Sequence, residues 1–212
     1  MSTEETFIFF DVDGVLIHGF HSDPRVRQRW DVHLEQELGI SSTELTREFF
    51  EKDFLSVITG KEDLYSALER VLPKLNPEVS PRDLVDYWFA NDGNINHELF
   101  DHVKTLAAQP DLKLFIATNQ EAYRARYLWQ ILGFKDHFED IFYSGRMGCL
   151  KRDPVFFAQI NRTLDLGQKN VIFFDDSADN MAPALAAGWD AVLYKETAQV
   201  TGHPKLAAFF SA

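Results

Sequence analysis

Two kinds of apolar pattern alternate along this chain. Short, nearly continuous runs, FIFF (7–10), LKLFIATN (112–119), NVIFFDD (170–176) and WDAVLYK (189–195), end in or beside polar residues and predict buried parallel strands. Between them lie helical patterns. In 121–132, Tyr123, Tyr127, Leu128, Ile131 and Leu132 share one face, and 153–166 and 178–187 also read as helices. Strands alternating with helices predict a doubly wound, Rossmann-like α/β fold with a parallel sheet.

The stretch 18–93 follows a different rule. It shows no strand pattern. Val26, Trp30, Leu34 and Leu38 fall at four-residue spacing, the pattern of one helical stripe. Leu64, Tyr65, Leu68, Val71 and Leu72 form a second apolar face, and Leu84, Val85, Trp88 and Phe89 a third. SSTE (41–44) and SPRD (80–83) have the form of capping boxes, the latter with proline at the first helical position. NDGN (91–94) reads as a return linker. The expected organisation is an α/β core of residues 1–17 and 94–212 with a helical cap, 18–93, inserted into it.

Composition narrows the function. A formal charge of −12 argues against a nucleic-acid binder, which would carry a basic patch. A small anionic substrate remains compatible, because a few local cations dominate a site. No apolar run approaches the roughly 18 residues of a membrane span. The acidic start MSTEET is unlike a secretory signal, and the single cysteine, Cys149, fits a reducing compartment. A cytoplasmic protein without membrane or nucleic-acid partners is expected. The seven histidines form no H-x-H or HExxH pattern, so no zinc site is expected.

In open α/β sheets ligands bind beyond the carboxyl ends of the strands. There the first run presents Asp11 and Asp13, the second Thr118 and Asn119, and the run from 170 presents Asp175, Asp176 and Ser177. Lys151 precedes the helix that feeds this last strand. Such a concentration of carboxylates is costly unless a cation relieves it, and an all-oxygen donor set suits Mg²⁺. A lysine and a hydroxyl suit phosphoryl oxygens, and a remaining carboxylate can serve as a nucleophile. DVDG also has the start of a calcium loop, but position 22, where an EF-hand needs Glu, is Ser.

Four motifs in order, DVDGV, LFIATN, LKRDPVFF and VIFFDDSADN, resemble those of the haloacid dehalogenase-like (HAD) hydrolase superfamily. The insert after the first motif is similar to that family's C1-type cap. The resemblance implies a phosphatase of small phosphate monoesters, sugar phosphates among them, with Mg²⁺ as cofactor and a small phosphorylated metabolite as partner. It makes Asp11 the nucleophile and a metal ligand. Asp13 becomes the general acid and base, with its carbonyl on the metal. Thr118, Asn119 and Lys151 hold the phosphate, Asp175 and Asp176 complete the metal site, and Ser177 and Asn180 support it. A phosphotransferase or mutase, a dehalogenase and a non-catalytic regulatory protein share the same scaffold. One departure stands out: the family commonly has proline after the lysine, where this chain has Arg152, expected at the surface. Cys149 is expected to be structural, His18 and His21 to be linker or surface residues, and Trp30, Trp88 and Trp129 to be core.

Overall fold

The computed structural model describes residues 5–210, so positions 1–4 and 211–212 of the expected core lie outside the described residues. Strand β1, Thr6–Phe10, lies at the centre of a five-stranded parallel sheet. Two short strands follow, β2 (Ile17–His18) and β3 (Asn94–Ile95), paired antiparallel. The sheet is completed by β4 (Leu112–Thr118), β5 (Asp140–Tyr143), β6 (Asn170–Asp175) and β7 (Asp190–Leu193), in the order β5-β4-β1-β6-β7. The chain steps outward from β1 to β4 and β5, then crosses to the other side of β1. The strand order therefore reverses at β1, and the crevice at its carboxyl end is the natural ligand site of such a sheet.

Strand pleating explains why these runs are apolar throughout. Ile8 and Phe10 face one layer, with Leu99, Phe100, Val103 and Leu106 of the helix His97–Ala107. Phe7 and Phe9 face the other, with Phe156, Phe157 and Ile160 of the helix Pro154–Thr163. Both faces are covered, so neither parity of position can be polar. Of the five strands in this sheet, β5 alone has no sequence expectation behind it. It is four residues long, with only Ile141 and Phe142 buried, and so leaves almost no periodic signal.

The chain leaves this layer through β2 and returns through β3. Between them lie helices Leu34–Leu38, Ser42–Leu45, Phe54–Ile58, Leu64–Leu75 and Pro81–Asn91, with a π-helical turn at Thr46–Phe50. They bury their own apolar cluster, including Leu34, Phe49, Leu68, Leu72, Leu84 and Trp88. The box at SPRD forms: Ser80 and Asp83 exchange side-chain and backbone bonds. The one expected at SSTE does not. Ser41 makes no capping bond, and Ser42 Oγ donates instead to the Asp31 carbonyl at 2.9 Å. The stripe from Val26 to Leu38 also shortens. Only Leu34–Leu38 is helical, and Val26 is 57% exposed. Residues around it are held in turns by local bonds, Arg25 to Asp23 and Arg29 to Asp31, and by Gln28 N–H on the Gly19 carbonyl.

The insert rests on the helix after β4. That helix, Ala122–Arg126, widens into a π turn at Tyr127–Ile131. The wide turn breaks the 3.6-residue period, so the expected face splits. Tyr123 and Tyr127 join the insert's cluster, Leu128 joins the sheet's, and Ile131 is 70% exposed. Tyr123 Oη donates to Asp63 at 2.8 Å, and Ser144 Oγ donates to the Ile58 carbonyl at 2.6 Å. No described helix is long and apolar enough to cross a membrane.

Candidate active site

After Phe10, Asp11 N–H still donates to the Phe174 carbonyl at 2.9 Å, and the chain then turns tightly. Gly14 is required in that turn twice over. Its φ is +78°, and a Cβ there would lie 2.6 Å from Asp176 Oδ2. The turn brings Asp11 and Asp13 to the edge where β4 delivers Thr118 and Asn119 and β6 delivers Asp175 and Asp176.

Lys151 organises the cluster. It is 1% exposed, and its Nζ lies 2.6 Å from Asp11 Oδ1 and 2.7 Å from Asp175 Oδ2. Its backbone N–H donates to Asn119 Oδ1 at 2.9 Å, which fixes the loop that carries it without the proline the family pattern places next. Arg152 is exposed, as expected of that position, and lines the cleft. Asp175 is held on both carboxylate oxygens. Besides Lys151 it accepts from Ser177 N–H at 2.8 Å and from Asn180 Nδ2 at 3.0 Å on both oxygens. Ser177 and Asn180 thus stand as supports of Asp175. Asp176 accepts Ser22 N–H at 2.5 Å and gives its carbonyl to Ser22 Oγ at 2.6 Å.

Asp11, Asp175 and Asp176 are all buried, and one ligand oxygen from each lies within 4.8 Å of the others. Three buried oxygens this close, facing one lysine, form a hard donor set of the type a small divalent cation occupies. Burial, the largest influence, pushes the Asp11 carboxyl well above its ordinary range. Lys151 opposes this, while Asp175 and Asp176 reinforce it. Burial alone would lower the Lys151 ammonium, but the carboxylates of Asp11 and Asp175 outweigh it and hold the lysine charged.

Asp13 sits in a separate environment. Burial raises its carboxyl, against the pull of Arg124, Gln120 and Lys151. Gln120 Nε2 donates to Asp13 Oδ2 at 2.5 Å. Among the described residues Asp13 Oδ1, Thr118 Oγ1 and Asp92 Oδ1 are buried polar atoms without a hydrogen-bond partner. Native structures rarely leave such atoms unpaired, and all three residues line the same cleft.

Sequence reasoning missed a second tier. Arg124 is 1% exposed and donates to the Phe89 and Asp92 carbonyls. Asp92 accepts Trp88 Nε1 at 3.2 Å, and its carboxyl is pushed up to about 7 by burial and then by Asp13. Glu121, which caps the following helix through Tyr123 and Arg124 N–H, is likewise pushed up to about 7 by burial. The available signal was spacing: Gln120, Arg124 and the buried Leu128 fall four residues apart, which puts an arginine on an inward face. His21 lies in the linker after β2, half-buried, with Nδ1 3.4 Å from Asp176 Oδ2. His18 is exposed in β2. Cys149 is half-buried against the sheet cluster, and burial raises its thiol. Trp129 packs against the core as expected, and Trp30 and Trp88 pack in the insert. The last two also line a cleft of about 1060 Å³ that runs from Asp11 to the insert.

A family model described as haloacid dehalogenase-like hydrolase matches residues 6–188. Among solved structures, HAD family enzyme BT-2542 from Bacteroides thetaiotaomicron, in complex with magnesium and inorganic phosphate, is similar over 90% of this chain and 94% of its own, with 18% identity and a TM-score of 0.72. A HAD-like family hydrolase from Porphyromonas gingivalis is similar over 99% of each chain, with 20% identity and a TM-score of 0.72. At such identities the likeness is one of fold. The drimenol cyclase drtB of Aspergillus calidoustus is 33% identical over 63 residues, which are 30% of this chain and 12% of that protein's length. The match over residues 6–188 takes in β1 with its carboxylate turn, the whole insert and strands β4 to β6, and the chain belongs to the haloacid dehalogenase-like hydrolase family.

Proposed function

We propose that the protein is a Mg²⁺-dependent phosphatase of small phosphate monoesters, acting through an aspartyl-phosphate at Asp11. In this reading residues 1–17 and 94–212 are the catalytic core and 18–93 the cap. The observation that carries it is the pair of buried, unpartnered atoms, Asp13 Oδ1 and Thr118 Oγ1, lining the cleft beside the Lys151–Asp11 contact. A phosphoryl ester supplies what each lacks: an oxygen for the threonine hydroxyl and a leaving oxygen for an Asp13 proton. The phosphate-bound relative of the same fold supports this.

Asp11, Asp175 and Asp176, with the Asp13 carbonyl, would hold the cation, which neutralises charge on the phosphoryl oxygens when bound. An Asp11 carboxylate oxygen forms a bond to phosphorus as the bond to the ester oxygen breaks. The electron pair leaves with that oxygen, and the Asp13 carboxyl, raised by burial, delivers its proton to it. Lys151, Thr118 and the Asn119 N–H hold the transferring group. Asp13, now a carboxylate, takes a proton from water as water attacks phosphorus, and Asp11 is released with inorganic phosphate.

A dehalogenase would leave Asp13 idle, because a halide departs without a proton. The test is phosphate release from p-nitrophenyl phosphate: EDTA abolishes it and Mg²⁺ restores it. Undiminished turnover after thorough chelation contradicts the reading.

A further inference from the structure

The insert contributes a panel of aromatic rings to the cleft, with polar side chains beside it. Phe50 meets Phe54 at 5.1 Å and Trp88 at 5.4 Å, both edge-on, and Trp30 stacks on Trp88 at 5.4 Å. All four rings line the cleft. The panel extends to Phe20 and Leu55, each 58% exposed and each on the same cleft. Single exposed apolar residues are ordinary, but two adjoining an aromatic panel in one concavity form a surface that calls for an apolar occupant.

The polar groups beside the rings are partly paired, while Asp92 Oδ1 at the inner end of the cleft has no partner among the described residues. Trp88 Nε1 is given to Asp92, Arg29 and Asp31 bind each other at 2.8 Å, and the Arg27 guanidinium lies over the Phe20 ring at 4.2 Å with Nε on the His21 carbonyl. A polyhydroxylated body pressed on the ring panel itself would leave the hydroxyls that face it without partners, which is costly. A hydrocarbon body loses only its contact with water.

Resting on the phosphatase reading above, we propose that the substrate is a phosphate monoester of a hydrocarbon alcohol, alkyl, prenyl or arylalkyl, with its phosphate at Asp11 and its body on this panel. The sugar phosphates that the family resemblance admits fit the ring panel poorly.

Linear alkyl phosphates from ethyl to octyl test this. All leave as primary alcohols, so the chemistry stays constant while the body grows. Glucose 6-phosphate, also a primary ester, is the polar comparison. We expect kcat/KM to rise about threefold per methylene until the panel is covered, and octyl phosphate to exceed glucose 6-phosphate by on the order of 100-fold. The double substitution Phe20→Ser, Leu55→Ser should lower the octyl-to-ethyl ratio about tenfold, while Ile131→Ser, exposed but away from the cleft, leaves it unchanged. An enzyme that hydrolyses ethyl phosphate but shows no chain-length dependence, prefers glucose 6-phosphate, or keeps its ratio in the double variant overturns this inference and leaves the phosphatase reading standing. Failure to release phosphate from any ester, p-nitrophenyl phosphate included, overturns both.

Discussion

The sheet half and the helical insert are both rich in aromatic rings and use them in opposite ways. In the sheet, Phe7, Phe9, Phe10, Phe115, Phe173 and Phe174 are all buried, and the polarity of the layer is pushed out to the strand ends. In the insert, Trp30, Phe50 and Phe54 are half-buried, and the panel they make looks onto the cleft. The first arrangement holds four carboxylates and a lysine in fixed positions, where the protonation of Asp11, Asp13 and Lys151 depends on their neighbours. The second offers a surface with few directional contacts, suited to choosing a substrate by shape and polarity. On this view chemistry and choice occupy separate regions, so changes in one should leave the other's signature intact.

The largest effect is expected from the core. Asp13→Asn removes the proton donor and the base, and kcat/KM should fall by roughly 10²–10⁴-fold. The loss should be similar for every alkyl ester, because the leaving alcohols are alike. A loss that varies with chain length would break the separation.

A smaller effect sharpens it. Gln120→Leu removes the amide that donates to Asp13 at 2.5 Å, and kcat/KM should fall roughly tenfold. That bond favours the charged carboxylate, so without it Asp13 holds its proton more tightly. The alkaline limb of the kcat/KM profile, set by loss of the Asp13 proton, should move to higher pH. A lower rate with an unmoved limb would mean that Gln120 only supports the loop.

The smallest effect lies where the two regions meet. The Asp92 carboxyl is raised from 3.8 to about 7, by burial first, so the folded protein holds this proton more tightly than the unfolded chain. Its contribution to stability is full below about pH 3.8 and is lost as pH rises through about 7. The melting temperature of the parent should therefore drop between pH 5.5 and pH 8, and D92N should drop less. Equal slopes would show that Asp92 is not the group that titrates.

The same division explains what could be read from sequence. β1, β4 and β6 were legible because strands buried on both faces are apolar at every position, and their terminal acids and Thr118 break that run visibly. β5 was not, because two buried residues carry no period. The stripe from Val26 to Leu38 has correct helical spacing, yet Gln28 is tied to the Gly19 carbonyl and to Asn94 across β2 and β3, an outcome the spacing does not encode. Asp11, Asp175 and Asp176 were expected together and are found together. Arg124 and Asp92 were not foreseen. They lie 32 residues apart, and only folding of the insert onto the helix after β4 joins them.

The central claim is that Asp11 is phosphorylated and Asp13 clears it. Asp13→Asn, mixed with p-nitrophenyl phosphate and Mg²⁺ and quenched with acid, tests both halves at once. The phenol is acidic enough to leave without a proton, so the variant should release about one equivalent per site in a burst and then turn over slowly. Mass spectrometry should place one phosphoryl group on Asp11, and the same experiment on Asp11→Asn should show none. A phosphoryl group on another residue, such as Ser177, or its undiminished appearance in Asp11→Asn, would contradict the account.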